Sequence, residues 1–228
     1  MKIICFGDSL TRGVSFVKGR LRIIRRNYPH YLEETLLSSG KPPRTVINKG
    51  VFNDDSDSLL KRLEKDVLEE EPDYAIIGIG GNDCNFDWKE VTKNPEAEHL
   101  PIVPLSRYLS NVNMMISRLQ EAGITPIILT LPPLDPVRYY YYLYNQYGSS
   151  IGHLISLKGG MEYWHGMYNL RLIELAQERK AAVIDVRTAL YQAGPLSELI
   201  SEDGIHLTSA GYKVVGREIA KFFNGNPQ

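Results

Sequence analysis

The sequence predicts an α/β fold: a three-layer sandwich in which a five-stranded parallel sheet carries helices on both faces. Two observations predict it. Short apolar runs of strand length alternate five times with longer segments of helical spacing. The run at residues 74–79 is apolar throughout, not at every second position, as a strand covered on both faces requires. Crossovers between such strands are right-handed, so the loops that follow them leave from one edge of the sheet.

The first run, Ile3, Ile4, Cys5 and Phe6, stops at Gly7, where the backbone turns. Asp8 and Ser9 follow at once, which sets a hydroxyl at the carboxyl edge of the sheet. Lys18, Arg20, Arg22, Arg25 and Arg26 then form a basic cluster, read as a solvated surface loop or as a patch that attracts anionic substrates. Pro29 suits the first turn of a helix whose buried stripe is Tyr31, Leu32, Thr35 and Leu36, with Gly40 as its stop. Residues 44–48 hold the second strand, around Val46 and Ile47. In the loop that follows, Asp55, Ser56 or Asp57 caps a helix with Leu59, Leu60, Leu63, Val67 and Leu68 on one face, closed by Pro72.

The third strand, residues 74–79, runs into Gly80-Gly81-Asn82-Asp83. Residues 104–122 give the clearest helix, with Leu105, Leu109, Val112, Ile116 and Leu119 at spacings of three and four and Gly123 as the stop. The fourth strand, residues 124–131, ends at Pro132-Pro133. Residues 134–160 interrupt the rhythm with a tyrosine-rich insertion: Tyr139, Tyr140, Tyr141, Tyr142, Tyr144 and Tyr147. Long connections of this kind are commonly functional, and its tyrosines suit one wall of a ligand pocket or a subunit contact. A helix at 162–180 has Met167, Leu170, Ile173 and Leu175 as its candidate core. A fifth strand at 182–186 follows, and a last helix at 209–223 turns Tyr212, Val215, Ile219 and Phe222 to the sheet.

Bulk properties bound the function. A chain of 228 residues buries roughly 70% of its extended-chain surface around one core, so residues 1–228 read as one domain. A net charge of −1 argues against a nucleic-acid binder. No apolar run approaches the length of a membrane span, which argues against stable membrane insertion. The four-residue apolar run near the start is too short for a secretion signal, and two cysteines give no disulfide framework; both suit the cytoplasm. The five histidines are scattered without paired ligand spacing, so no metal and no cofactor is expected. A homo-oligomer stays open.

The loops after Phe6, Asn48, Ile79 and Val186 leave from one sheet edge and bring Ser9, Asn53, Asn82 and His206 together there. A serine hydroxyl becomes a nucleophile when a base takes its proton, and His206 is the natural base. Asp203, three residues earlier, lies at a spacing that lets its carboxylate reach the far ring nitrogen. Donors for an oxyanion are the backbone N–H of Ser9, a backbone N–H in the loop from Gly50 to Asn53, and the side chain of Asn82.

Four blocks carry a resemblance. Gly7-Asp8-Ser9-Leu10, Asn48-Lys49-Gly50, Gly80-Gly81-Asn82-Asp83 and Asp203-Gly204-Ile205-His206 occur in the order, and at the strand ends, of the SGNH hydrolases, also called the GDSL esterases and lipases. The sequence resembles that family over nearly its whole length. The resemblance implies the SGNH hydrolase fold, of flavodoxin-like type. It implies catalysis by Ser9, Asp203 and His206, and an oxyanion hole of Ser9, Asn53 and Asn82, with Gly50 as the alternative to Asn53. It implies a serine esterase acting on small-molecule esters of small or medium acyl groups. A thioesterase or lysophospholipase would use the same residues. The sequence departs from the pattern once: the glycine whose N–H is the middle oxyanion donor is Asn53, and the usual threonine two residues on is Asp55. That departure motivates the rival reading, a non-catalytic binding domain. A flavodoxin-like nucleotide binder lacks its glycine-rich phosphate loop here.

Overall fold

A computed structural model describes residues 1–38 and 44–225. Strands β1 (Lys2–Gly7), β4 (Thr45–Gly50), β5 (Tyr74–Gly78), β6 (Thr125–Leu129) and β7 (Ala182–Ile184) form one parallel sheet in the order β4-β1-β5-β6-β7. Two further strands, β2 (Val14–Val17) and β3 (Arg20–Ile23), form a separate antiparallel hairpin. The five parallel strands agree with the sequence-based expectation.

Alternation along β1 explains why its run is apolar throughout. Ile4 and Phe6 pack to one side, Ile3 and Cys5 to the other, and all four are fully buried. The first face is covered by helices Ser56–Asp66, Leu105–Glu121 and Met161–Glu178, through Leu59, Leu63, Val112, Met115, Ile116 and Leu172. The second is covered by Tyr28–Leu37, Val186–Ala193 and Ser209–Asn224, through Leu32, Leu36, Leu190, Tyr212, Val215 and Ile219. Each such side chain contributes about 1.5–3 kcal/mol of burial free energy. Asn27 caps the Tyr28–Leu37 helix by accepting from the His30 N–H at 3.1 Å. Asp55 caps Ser56–Asp66 by accepting from the Ser58 N–H at 2.8 Å. Gly40, expected to stop the first of these helices, lies outside the described residues.

The structure corrects several local expectations. Of the basic cluster after Ser9, Arg20 and Arg22 lie not in a loop but on the second strand of the β2–β3 hairpin, which is exposed along its whole length; Lys18 is in its turn, and Arg25 and Arg26 follow it. The tyrosine-rich insertion, to which the sequence assigned no element, is helical. It holds the helices Pro136–Tyr147 and Ile151–Leu157, the first capped by Asp135 accepting from the Arg138 N–H at 3.1 Å. In Met161–Glu178 the buried face is Met161, Trp164, His165, Tyr168, Leu172 and Ala176, while Met167 and Leu170 are 39% and 55% exposed. Apolar residues surround this helix, so spacing alone selects no face; the large aromatic rings settle it by the area they bury. In the last helix Phe222 is exposed, and Phe223 instead packs edge-on against Tyr74 with ring centroids 5.1 Å apart.

The strand order reverses direction at β1, with β4 on one side and β5 on the other. Open α/β sheets bind ligands outside the carboxyl ends at such a point. Gly7 of β1 pairs there with Gly50 of β4 and with Gly78 of β5.

Candidate active site

Ser9 follows β1 directly and opens a one-turn helix, Ser9–Arg12, capped by Asp8, whose carboxylate accepts from the Leu10 N–H at 2.8 Å. This geometry leaves the Ser9 N–H without a hydrogen-bond partner among the described residues. Asn48 staples the turn in place: its Nδ2 donates to Thr11 O at 2.8 Å, and its Oδ1 accepts from Gly50 N at 2.8 Å. Gly50 has no room for a side chain, since a Cβ there would sit 2.1 Å from Arg12 N. The Gly50 N–H is therefore occupied, and Gly50 is corrected as an alternative oxyanion donor.

Asn53 lies three residues on, with φ at 63°, in the left-handed region. Asparagine adopts that conformation more readily than most residues. Its N–H has no partner among the described residues. Asn82 follows β5, and its Nδ2 donates to Asp54 O at 2.7 Å. A carboxamide NH₂ has two hydrogens, so one anchors the neighbouring loop and one stays available. Arg62 fixes Asp54 from the other side: its Nε donates to Asp54 Oδ2 at 2.6 Å and its Nη2 to Gly7 O at 2.9 Å. The loops after β1, β4 and β5 are thus tied into one unit.

Asp203 and His206 are not on the loop directly after β7. Helices Val186–Ala193 and Leu196–Leu199 intervene. An isolated bridge between Ile200 and Leu207 then closes a tight loop, in which the Ser201 N–H donates to His206 O at 2.7 Å. The distances are short and sequential: His206 Nε2 lies 2.9 Å from Ser9 Oγ, and His206 Nδ1 lies 2.6 Å from Asp203 Oδ2. All three side chains are buried, Ser9 at 6%, His206 at 7% and Asp203 at 1% exposure. Burial alone would raise the Asp203 carboxyl. Hydrogen bonds from the His206 ring and from the N–H groups of Ile205 and His206, with the histidine charge, outweigh it and hold the carboxyl below its ordinary value. Asp203 is therefore an anion across the neutral range, and it places the Nδ1 proton and leaves Nε2 as an acceptor facing Ser9.

Two further carboxyls border the site. Burial chiefly, against the opposing Leu10 N–H bond, pushes Asp8 up to about 6. Asp83 is fully buried; its Oδ1 accepts from Ser56 N at 2.9 Å and its Oδ2 has no partner among the described residues. Burial pushes Asp83 up to about 7.

Beside the Ser9–His206 pair lies a mostly apolar cavity of about 80 Å³. Ser9 and His206 do not line it, but their chain neighbours Asp8 and Ile205 do, as does Asn82. Its apolar lining includes Leu129, Leu131, Leu134, Tyr139, Trp164 and Val186. Leu134 and Tyr139 come from the tyrosine-rich segment, so that segment supplies part of the wall. Tyr142 instead packs edge-on against Phe16 of the hairpin, at 5.6 Å between ring centroids.

Sequence reasoning missed Ser201 and Arg138. The Ser201 hydroxyl sits 3.1 Å from Asp203 Oδ1 and 2.7 Å from His206 O, and accepts from Phe16 N at 3.2 Å. Arg138 Nη1 donates to Ile200 O at 2.7 Å and to Ser197 O at 2.9 Å. Their effect depends on a loop closure and a helix contact that no local motif encodes. Among the described residues no three His, Cys, Asp or Glu side chains gather as metal ligands, and no helix is long and apolar enough to cross a membrane.

Known proteins share this arrangement of chain and fold. The GDSL-like lipase/acylhydrolase family matches residues 5–214. A lipoprotein of Bacillus subtilis is 24% identical over 93% of this chain and 85% of its own length. The isoamyl acetate-hydrolyzing esterase of Saccharomyces cerevisiae is 23% identical over 96% of this chain and 84% of its own. The crystal structure of the lipase/acylhydrolase from Enterococcus faecalis superposes with a TM-score of 0.72 at 22% identity, covering 100% of this chain and 97% of that one. The chain belongs to the GDSL-like lipase/acylhydrolase family and is a serine ester hydrolase.

Proposed function

We propose that this hydrolase acts on carboxylic esters of small or medium acyl groups through an acyl-enzyme on Ser9. The observation that carries the reading is the unbroken hydrogen-bonded line from Ser9 Oγ through the His206 ring to Asp203, at 2.9 and 2.6 Å. Ser9 Oγ attacks the ester carbonyl while His206 Nε2 takes its proton. Asp203 stabilises the imidazolium that forms. The oxyanion of the tetrahedral intermediate receives the backbone N–H of Ser9, the N–H of Asn53 and the free Nδ2 hydrogen of Asn82. His206 then returns the proton to the departing alkoxide. Water repeats the sequence on the acyl-enzyme, and the acid leaves.

The acyl group enters the cavity walled by Leu134 and Tyr139, whose small volume favours short chains. The yeast relative, named for hydrolysing an acetate ester, supports the same range. Cys5 and Cys84 are buried free thiols, in keeping with a cytoplasmic protein. The test is labelling with a fluorophosphonate, followed by hydrolysis across acyl lengths. Labelling that is lost in Ser9→Ala, with turnover highest on short oxygen esters, is the expected result. An unlabelled Ser9 points to a binding domain, and faster turnover on thioesters or lysophospholipids replaces the substrate class.

A further inference from the structure

His165 sits in the helix Met161–Glu178, lines the cavity, and is 3% exposed. Its Nδ1 lies 3.2 Å from Arg187 Nη1, which also donates to Leu131 O at 3.3 Å. A guanidinium has donors only, so Nδ1 must accept. That fixes the ring as the neutral tautomer with its proton on Nε2. Burial chiefly, and then the charge on Arg187, disfavour a second proton on the ring.

The Nε2–H has no hydrogen-bond partner among the described residues. Its chain neighbour Trp164, and Leu131 and Val186 beside Arg187, give the cavity apolar surface there. The ring is almost wholly buried but Nε2 is not sealed off, so a ligand that carries an acceptor gains a hydrogen bond there that an apolar ligand does not. The polarising guanidinium behind the ring strengthens the donor further.

We propose that His165 sets substrate choice within the cavity: its Nε2–H receives a carbonyl oxygen carried along the acyl chain, so the preferred substrates are esters of oxo-acids over esters of plain alkanoic acids. Arg187 acts as a positioning residue that holds the donor tautomer. The inference rests on the esterase reading above. It adds a fixed polar address to a largely apolar cavity, on a helix that carries neither Ser9 nor His206.

The test compares methyl levulinate and its one-carbon-longer oxo homologue with methyl pentanoate and methyl hexanoate. Hydrolysis is followed by titration of the released acid and corrected for the alkaline hydrolysis rate of each ester. The expected result is a kcat/KM about tenfold higher for an oxo ester than for its plain counterpart. In His165→Phe or His165→Met, whichever is folded by circular dichroism, the ratio falls to about one. Equal kcat/KM for the two kinds of ester in the unaltered protein overturns this inference and leaves the esterase reading standing. A preference that survives in the variants also overturns it. Failure to hydrolyse any of the four esters, with Ser9 inert to fluorophosphonate, overturns the esterase reading and this inference with it.

Discussion

At Ser9 the chemistry depends on one acceptor, His206 Nε2, at 2.9 Å. Ser9→Ala is expected to lower turnover by on the order of a thousandfold or more with the fold intact, checked by initial rates alongside circular dichroism. Asn82→Ala is expected to lower kcat by on the order of a hundredfold through loss of one oxyanion donor. The same substitution removes the bond to Asp54 O, so a lower melting temperature is expected as well. Ser9, Asn53 and Asn82 were legible because each lies in a short block after a strand end, and Asp203 and His206 because of their three-residue spacing, although two helices separate them from the last strand. Asn53 was legible even as a departure, because its left-handed φ of 63° is one that asparagine tolerates. His165 was not legible, because one histidine in an aromatic helix carries no local sign of a cavity. Its titration gives a sharper test. Burial, with Arg187 beside it, pulls His165 down to about 3 in the folded protein, against about 6.5 in an unfolded chain. Above the unfolded value neither state is protonated. Below it the unfolded chain takes a proton that the folded protein refuses, so this part of the stability is lost as pH falls from about 6.5 towards 3. The buried Asp83 carboxyl, raised to about 7, works in the opposite sense, because its folded state holds a proton that the unfolded chain has released. The drop in melting temperature from about pH 7 to about pH 5 is therefore expected to be smaller in His165→Gln than in the unaltered protein, as scanning calorimetry at the two pH values would measure.

Among the elements, the loop of Asp203 and His206 is held by the tyrosine-rich segment as much as by its own turn. Gly204 has φ at 75° and packs so closely that a Cβ would lie 2.2 Å from Tyr139 N. Asp135 N donates to Gly204 O at 3.0 Å. Gly204→Ala is expected to push the Pro136–Tyr147 helix off the loop and to misplace His206. The measurement is kcat on a short ester, expected to fall by on the order of a hundredfold because small displacements of catalytic groups are that costly. Leu134 forms part of the cavity wall and is mostly buried, so Leu134→Ala is expected to shift preference towards longer acyl chains. It should also destabilise the fold by about 2–5 kcal/mol. Rates across a chain-length series, with a denaturant midpoint, check both. The sequence marked this segment by its tyrosines but gave no path for it. Its helices gain their packing from Phe16, Asn85 and Ile200, partners far away in the chain. The β2–β3 hairpin escaped for a related reason: it adds little to the core, and its arginines read as a solvated loop.

For the whole molecule, the parallel sheet was readable because strands covered on both faces leave no polar alternation to confuse with helix spacing. The order β4-β1-β5-β6-β7 brings the first, second and third of these strand ends together. What sequence could not supply was which apolar face of a helix wins when several are available, as in Met161–Glu178. That is decided by the volume the neighbouring helices leave. The separation within the Ser9–His206 pair carries a consequence for biosynthesis. The two residues stand 197 positions apart, and all five parallel strands are complete by Ile184. A growing chain therefore makes its nucleophile long before its base, so a chain cut short between the two presents a serine that is chemically idle.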